Sequence, residues 1–231
     1  MNILIVIKIG GSLIKSARKL VSAIYEYALN EGERILIVPG GGMFADTVRI
    51  ASNAYRISDE ATHWMAVLAM DQYAHYLSDG TPARLITEID SIPIGASILL
   101  TYNLLKRSDA EIEHTWDATS DTIAGWIASK IGAAFIKATD VDGIFRDGML
   151  LHEIAAKELI KMGGTCVDPE LPKLLLLKSL DCLVVNGKDP NYVIDAIRGV
   201  RGGTVIRHGS STEIRSPVRT LIFPKCDSTR P

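Results

Sequence analysis

The sequence predicts an α/β fold built on a mainly parallel sheet. Three observations carry that prediction: short apolar, β-branched runs that suit strands buried on both faces, helical periodicity between them, and glycine turns at their ends. The chain of 231 residues is long enough for one compact domain, and 47% hydrophobic residues are enough for its core.

The first run, Ile3-Leu4-Ile5-Val6-Ile7-Lys8-Ile9, reads as a strand interrupted by a lysine just before Gly10-Gly11-Ser12. An ammonium buried in a central strand is costly unless an anion meets it. Gly10 and Gly11 let a ligand approach the backbone, and Ser12 is expected to cap a helix whose free N–H groups favour phosphate. Residues 16–31 have helical spacing and stop at Gly32. Arg34–Val38 is a second buried strand, ending at Pro39-Gly40-Gly41-Gly42. Strand, helix and strand form a βαβ unit, whose right-handed crossover puts both glycine turns at one edge of the sheet.

Helices are expected over Met43–Ala54 and Ser58–Leu77, the second capped by Ser58 with acids in its first turn. Residues 83–115 read as short strands and turns, with Ser97–Thr101 the most strand-like. Ser120 or Thr119 is expected to cap a helix running to about Ile131, with Asp121 in its first turn. Strand Ala133–Ala138 runs into Thr139-Asp140-Val141-Asp142-Gly143-Ile144, a third loop at the same edge. A hairpin at Asp147-Gly148, a helix over Ala155–Met162 and a proline-fixed turn at Asp168–Lys173 leading into a leucine-rich helix follow. Strand Asp181–Gly187 and helix Pro190–Gly199 come next. Gly202–Ile206 lies between that helix and a closing strand near Thr220–Phe223, and the tail after Pro224 is polar.

A net charge of −2 argues against nucleic acid or an anionic membrane as main partner. Cys166, Cys182 and Cys226 form no CxxC pair, and the five histidines form no helical ligand pair, so neither a disulfide framework nor a protein-held metal is expected. No stretch reads as a signal peptide or membrane span, and a cytoplasmic location is expected. No GxxxxGK[ST] and no paired HRD and DFG motifs are present, which excludes P-loop and protein-kinase chemistry.

KIGGS at 8–12, PGGG at 39–42, TSDTIA at 119–124, TDVDGIF at 139–145, VNG at 185–187 and GGTVI at 202–206 stand in one order along nearly the whole chain. In that set the sequence resembles the amino acid kinase family. The resemblance implies a three-layer αβα sandwich with a mainly parallel central sheet, an ATP-dependent phosphotransferase, and Mg²⁺. It implies a single domain over 1–231, with an acceptor-binding lobe at about 1–130 and a nucleotide-binding lobe at about 131–224.

Residue by residue, Lys8 would meet the transferring phosphoryl group or the donor β-phosphate. Gly10, Gly11 and Ser12 would supply backbone donors, and Gly40, Gly41 and Gly42 would hold the acceptor. Asp121 would orient the lysines without acting as a base. Thr139, Asp140, Gly143, Ile144 and Phe145 would border the nucleotide, with Asn186 and Gly187 nearby. Lys173 is similar to the family's second catalytic lysine, with Lys178 as competitor.

The pieces HTWDATSDT, CVDPELP, VVNGKDP and SDEATHWMAVLAMDQY resemble a small archaeal-type branch of methanofuran biosynthesis that converts a furanylmethyl phosphate to its diphosphate. An acceptor phosphate would want Arg49 or Lys15, and a cationic aminomethyl group would want Asp46, His114 or Trp116. A homo-oligomer is expected through the helix at 58–77. The rival readings are another acceptor (uridine monophosphate, isopentenyl phosphate or a carboxylate) and a non-catalytic oxyanion or nucleotide binder. A lysine poised for charge transfer beside Asp121 argues against the binder.

Overall fold

The computed structural model describes residues 4–108, 111–200 and 202–209. The strand expected near Thr220–Phe223, the tail after Pro224, Cys226 and Ile3 lie outside them. In chain order the strands are β1 (Leu4–Ile9), β2 (Arg34–Pro39), β3 (Arg84–Ile86), β4 (Gly95–Leu99), β5 (Ala134–Thr139), β6 (Ile144–Arg146), β7 (Met149–Leu151), β8 (Glu153–Ala155), β9 (Cys182–Asn186) and β10 (Thr204–Arg207). The helices are α1 (Ala17–Glu31), α2 (Gly42–Tyr55), α3 (Asp59–Ser78), α4 (Thr101–Ser108), α5 (Ser120–Lys130), α6 (Ala156–Met162), α7 (Leu171–Lys178) and α8 (Pro190–Ile197).

Eight strands make one sheet in the order β3-β4-β2-β1-β5-β9-β10-β8, and β6 and β7 pair as the expected hairpin. Within the eight-stranded sheet neighbours are parallel except β9 and β10. β1 lies at the centre, in register with β2 on one side and β5 on the other. Successive side chains of a strand alternate between faces. Ile5, Ile7 and Ile9 therefore pack with Leu20, Val21 and Ile24 of α1 and Val193 of α8. Val6, on the opposite face, packs with Ile123, Ala124 and Ile127 of α5. The result is the three-layer αβα sandwich with a mainly parallel sheet. No helix among the described residues is long and apolar enough to cross a membrane.

Local reading fails where a remote carboxylate makes the cap. Residues 83–115 hold β3 and β4, but also α4, which was expected as turn. Asp71 of α3 accepts from the Thr101 N–H at 2.6 Å and the Thr101 hydroxyl at 2.9 Å, and its other oxygen accepts from the Tyr102 N–H at 3.3 Å. Neither Thr119 nor Ser120 caps α5 with its side chain. Asp168, from the turn before α7, accepts from the N–H groups of Thr119 and Thr122, each at 3.0 Å.

Ser12 does not cap a helix either. It lies inside a single 3₁₀ turn, Gly11–Leu13, and α1 begins only at Ala17. Gly202–Ile206, to which the sequence reading gives no element of its own, contains most of β10, the strand that joins β9 to β8. Ser58 does cap α3, accepting from the Ala61 N–H at 3.3 Å.

Candidate active site

Lys8 occupies the penultimate position of β1 and faces α5 with Val6. Its exposure is 6%, and that of Asp121, in the first turn of α5, is 3%. The Lys8 ammonium lies 2.7 Å from Oδ1 of Asp121. Oδ2 of the same carboxylate accepts from the Lys137 ammonium and from the Asp168 N–H at 3.2 Å. Lys137 is the register partner of Lys8 on β5 and is equally buried. It also donates to the Cys166 carbonyl.

Burial alone would raise the pKa of Asp121, but Lys137 and Lys8 outweigh it and hold the carboxyl well below the usual carboxylate range. Burial, joined by the like charge of Lys137, pulls Lys8 below an ordinary lysine despite Asp121. Burial opposes the Lys137 charge too, but there the Asp121 carboxylate prevails and raises it.

The two glycine turns meet backbone to backbone above this cluster. A Cβ on Gly11 would lie 2.1 Å from Cα of Gly42, and one on Gly40 would lie 2.9 Å from N of Gly11. The space expected for a ligand at Gly11 is thus filled by the partner turn, and only glycine allows that approach. Gly10 and Gly40 spend their N–H groups on the Ala138 and Ile9 carbonyls. The first donors bonded within the turn after β1 and within α2 are Leu13 and Ala45, so the N–H groups of Gly11, Ser12, Gly42 and Met43 precede both ladders.

Those helix starts open on a cavity of about 390 Å³. Gly11, Ser12, Gly41, Gly42, Arg49 and Trp116 line it, with Asp46, Asp59, His63 and His114 also on its walls. Arg49 stacks over Trp116, its guanidinium carbon 4.4 Å from the ring centroid. His63 and His114 stack with centroids 3.8 Å apart, and Glu60 pairs with His114. Thr119 and Ser120 form the wall next to Asp121.

The residues expected around a nucleotide lie at the carboxyl ends of β5 and β9. Thr139 and Asn186 are register partners, and the Gly187 N–H donates to the Thr139 carbonyl at 2.7 Å. Asn186 donates to Asp142 at 2.7 Å, beside half-buried Asp140. Gly143 and Gly187 serve packing. Added Cβ atoms there would meet the Thr204 hydroxyl at 2.4 Å and Leu13 at 2.5 Å. Ile144 is buried, and Phe145 stands 46% exposed.

Lys173 is not part of the buried cluster: it is exposed and pairs with Glu170, whose N–H donates to the Asp117 carbonyl beside the cavity. Lys178 points elsewhere, to Glu111 near Trp126 on the later turns of α5. Lys137 went unrecognised in the sequence. The signal was the one that singles out Lys8, a lysine inside an apolar strand run one step before its polar end.

The family model described as the amino acid kinase family matches residues 4–186. Over 205 residues the chain is 36% identical to [5-(aminomethyl)furan-3-yl]methyl phosphate kinase of Methanocaldococcus jannaschii, covering 84% of this chain and 93% of that protein. It is 22% identical over 237 residues to uridylate kinase of Thermofilum pendens, covering 88% and 97%. Among solved structures it is similar to uridylate kinase of Archaeoglobus fulgidus, with a TM-score of 0.65, 19% identity, and coverage of 88% of this chain and 99% of that one.

Proposed function

The chain belongs to the amino acid kinase family, and on that premise we propose that it transfers the γ-phosphoryl group of ATP to a small phosphomonoester, giving its diphosphate. The acceptor we assign is [5-(aminomethyl)furan-3-yl]methyl phosphate, the molecule named for the Methanocaldococcus relative. The observation that carries this reading is the cavity's polarity. Part of its wall offers the N–H groups of Gly11, Ser12, Gly42 and Met43, with Thr119 and Ser120 adjoining Asp121 of the buried cluster behind it, and part offers Trp116 and the His63–His114 stack with Asp46 and Asp59. The N–H groups suit a phosphate, and the aromatic and acidic groups suit a flat ring bearing an ammonium.

An acceptor phosphate oxygen attacks the γ-phosphorus in line as the bond to the β–γ bridging oxygen breaks and ADP leaves. The second pKa of a phosphomonoester is about 6, so its dianion is the nucleophile at neutral pH and no base is needed. Asp121 fits that absence of a base, because both its oxygens are held by ammoniums. Lys8 opposes the charge on the phosphoryl oxygens, and the N–H groups of Gly11 and Ser12, which precede the turn's first bonded donor Leu13, add donors to them.

Gly42 and Arg49 hold the acceptor phosphate, while Thr139, Asp140, Asn186 and Phe145 border the nucleotide. Lys173 exchanges its weak surface pair with Glu170 for the donor phosphates. Mg²⁺, carried on the nucleotide's own phosphates, would add Lewis-acid charge there. No group of three or more His, Cys, Asp or Glu residues among the described ones forms a separate metal site. The exposed apolar residues Ile50, Tyr55 and Leu68 on α2 and α3 support a homo-oligomer.

The test is an acceptor panel with ATP and Mg²⁺, read by mass spectrometry of the product. The aminomethylfuran phosphate should give its diphosphate with a kcat/KM at least about tenfold above uridine monophosphate, isopentenyl phosphate and glutamate. Preference for any other acceptor replaces the assignment. ADP formed at one rate with and without every acceptor overturns the transferase reading.

A further inference from the structure

Lys8 and Lys137 sit opposite each other on adjacent parallel strands, both inside the sheet and both on the α5 face. Two buried ammoniums side by side repel, and a single carboxylate stands between them. Asp168, the next carboxylate, is committed elsewhere. It accepts from the N–H and hydroxyl groups of Thr119 and Thr122 and from the Leu171 N–H at 2.8 Å. The Cys166 thiol, pushed up by burial, adds no charge. An ion pair built only for stability needs one cation and one anion, and each further buried charge adds desolvation cost.

We infer that Lys137 is a positioning residue for the transfer step. By holding Oδ2 of Asp121 it turns Oδ1 to Lys8, and its ammonium balances the Asp121 and Asp168 carboxylates so that Lys8 keeps its charge for the incoming phosphoryl group. The inference rests on the phosphotransferase reading above. Without Lys137, Lys8 would face the Asp121 and Asp168 carboxylates alone, and the site would meet the phosphoryl oxygens with a net negative charge. Lys137 also donates to the Cys166 carbonyl, so the segment before α7 is set by the same ammonium.

The charges facing Lys8 are Asp121 on α5, Lys137 on β5 and Asp168 before α7. Lys137 is the one among them that makes the Lys8 ammonium easier to deprotonate, so its removal shifts Lys8 titration to higher pH. The midpoint reports the charge coupling itself, whereas a purely structural lysine would leave kcat unchanged once the fold is intact.

Two readouts on wild type, Lys137→Met and Lys137→Arg test this. In steady-state kinetics the methionine variant should lose kcat on the order of 100-fold with the nucleotide KM within about threefold, and arginine should recover at least about tenfold of it. In ¹⁵N-lysine NMR of the substrate-free protein, with the Lys8 resonance assigned by its loss in Lys8→Met, the Lys8 midpoint should move up in Lys137→Met. In Lys137→Arg it should stay near the wild-type value, which keeps the test intact if the methionine variant does not fold. An unchanged kcat, an equal loss in kcat and nucleotide affinity, an unmoved Lys8 midpoint in Lys137→Met, or a displaced one in Lys137→Arg overturns the inference. A wild type inactive on every acceptor would instead count against the proposed function, and the NMR midpoints would still decide whether Lys137 sets the charge state of Lys8.

Discussion

Asp168 accepts the Thr122 hydroxyl at 2.6 Å, joining the turn before α7 to the first turn of α5. The same carboxylate takes the N–H groups of Thr119, Thr122 and Leu171, so one buried side chain caps two helices and sets where Asp121 stands.

Replacing Asp168 by alanine would orphan these donors at once. The expected loss is on the order of 3 kcal/mol of folding stability, by analogy with helix caps and buried unsatisfied groups. Urea denaturation measures it. A loss within a few tenths of a kcal/mol would show that water replaces the cap.

The Asp121 cluster makes stability depend on acid. The two ammoniums hold the folded-state value of this carboxyl below its unfolded value. Its contribution is therefore present above the unfolded value of about 4 and is lost as pH falls below it. Asp121→Asn should cost about 3–5 kcal/mol at pH 7, because two buried ammoniums lose their partner. The gap to wild type should narrow as urea midpoints are followed from pH 4 downward. A gap that is constant with pH would mean the pair contributes nothing through charge.

Lys8→Ala should remove on the order of 3 kcal/mol of transition-state stabilisation, as removal of an oxyanion donor does. Turnover should fall far more than nucleotide affinity, measured by isothermal titration of a non-hydrolysable ATP analogue. Equal losses would reduce Lys8 to a binding residue.

Lys173 and Lys178 lie on one helix but serve different ends of α5. Lys173→Met should lower kcat/KM for ATP by about tenfold or more, and Lys178→Met should stay within about twofold of wild type. The reverse order would exchange their roles.

Much of the fold is legible in local pattern. The apolar runs of β1, β2 and β5, the αL stop at Gly32 and the Asp147-Gly148 hairpin each declare themselves within a few residues. What local pattern hides is action at a distance. Asp71 and Asp168 cap helices far along the chain, so α4 reads as turn and the cap of α5 is assigned to the wrong side chains. Lys8 and Asp121 stand out singly in the sequence, yet only the β1–β5 register brings Lys137 to the same carboxylate. The glycines read as openings for a ligand, while Gly11 and Gly42 use their missing side chains to touch each other.

The most direct test of phosphoryl transfer onto an acceptor phosphate is a ³¹P NMR time course of wild-type protein with ATP, Mg²⁺ and [5-(aminomethyl)furan-3-yl]methyl phosphate. The expected spectra show the acceptor singlet replaced by the coupled doublets of a diphosphate monoester, growing in step with ADP. A spectrum in which ADP and inorganic phosphate accumulate while the acceptor singlet persists would contradict the account.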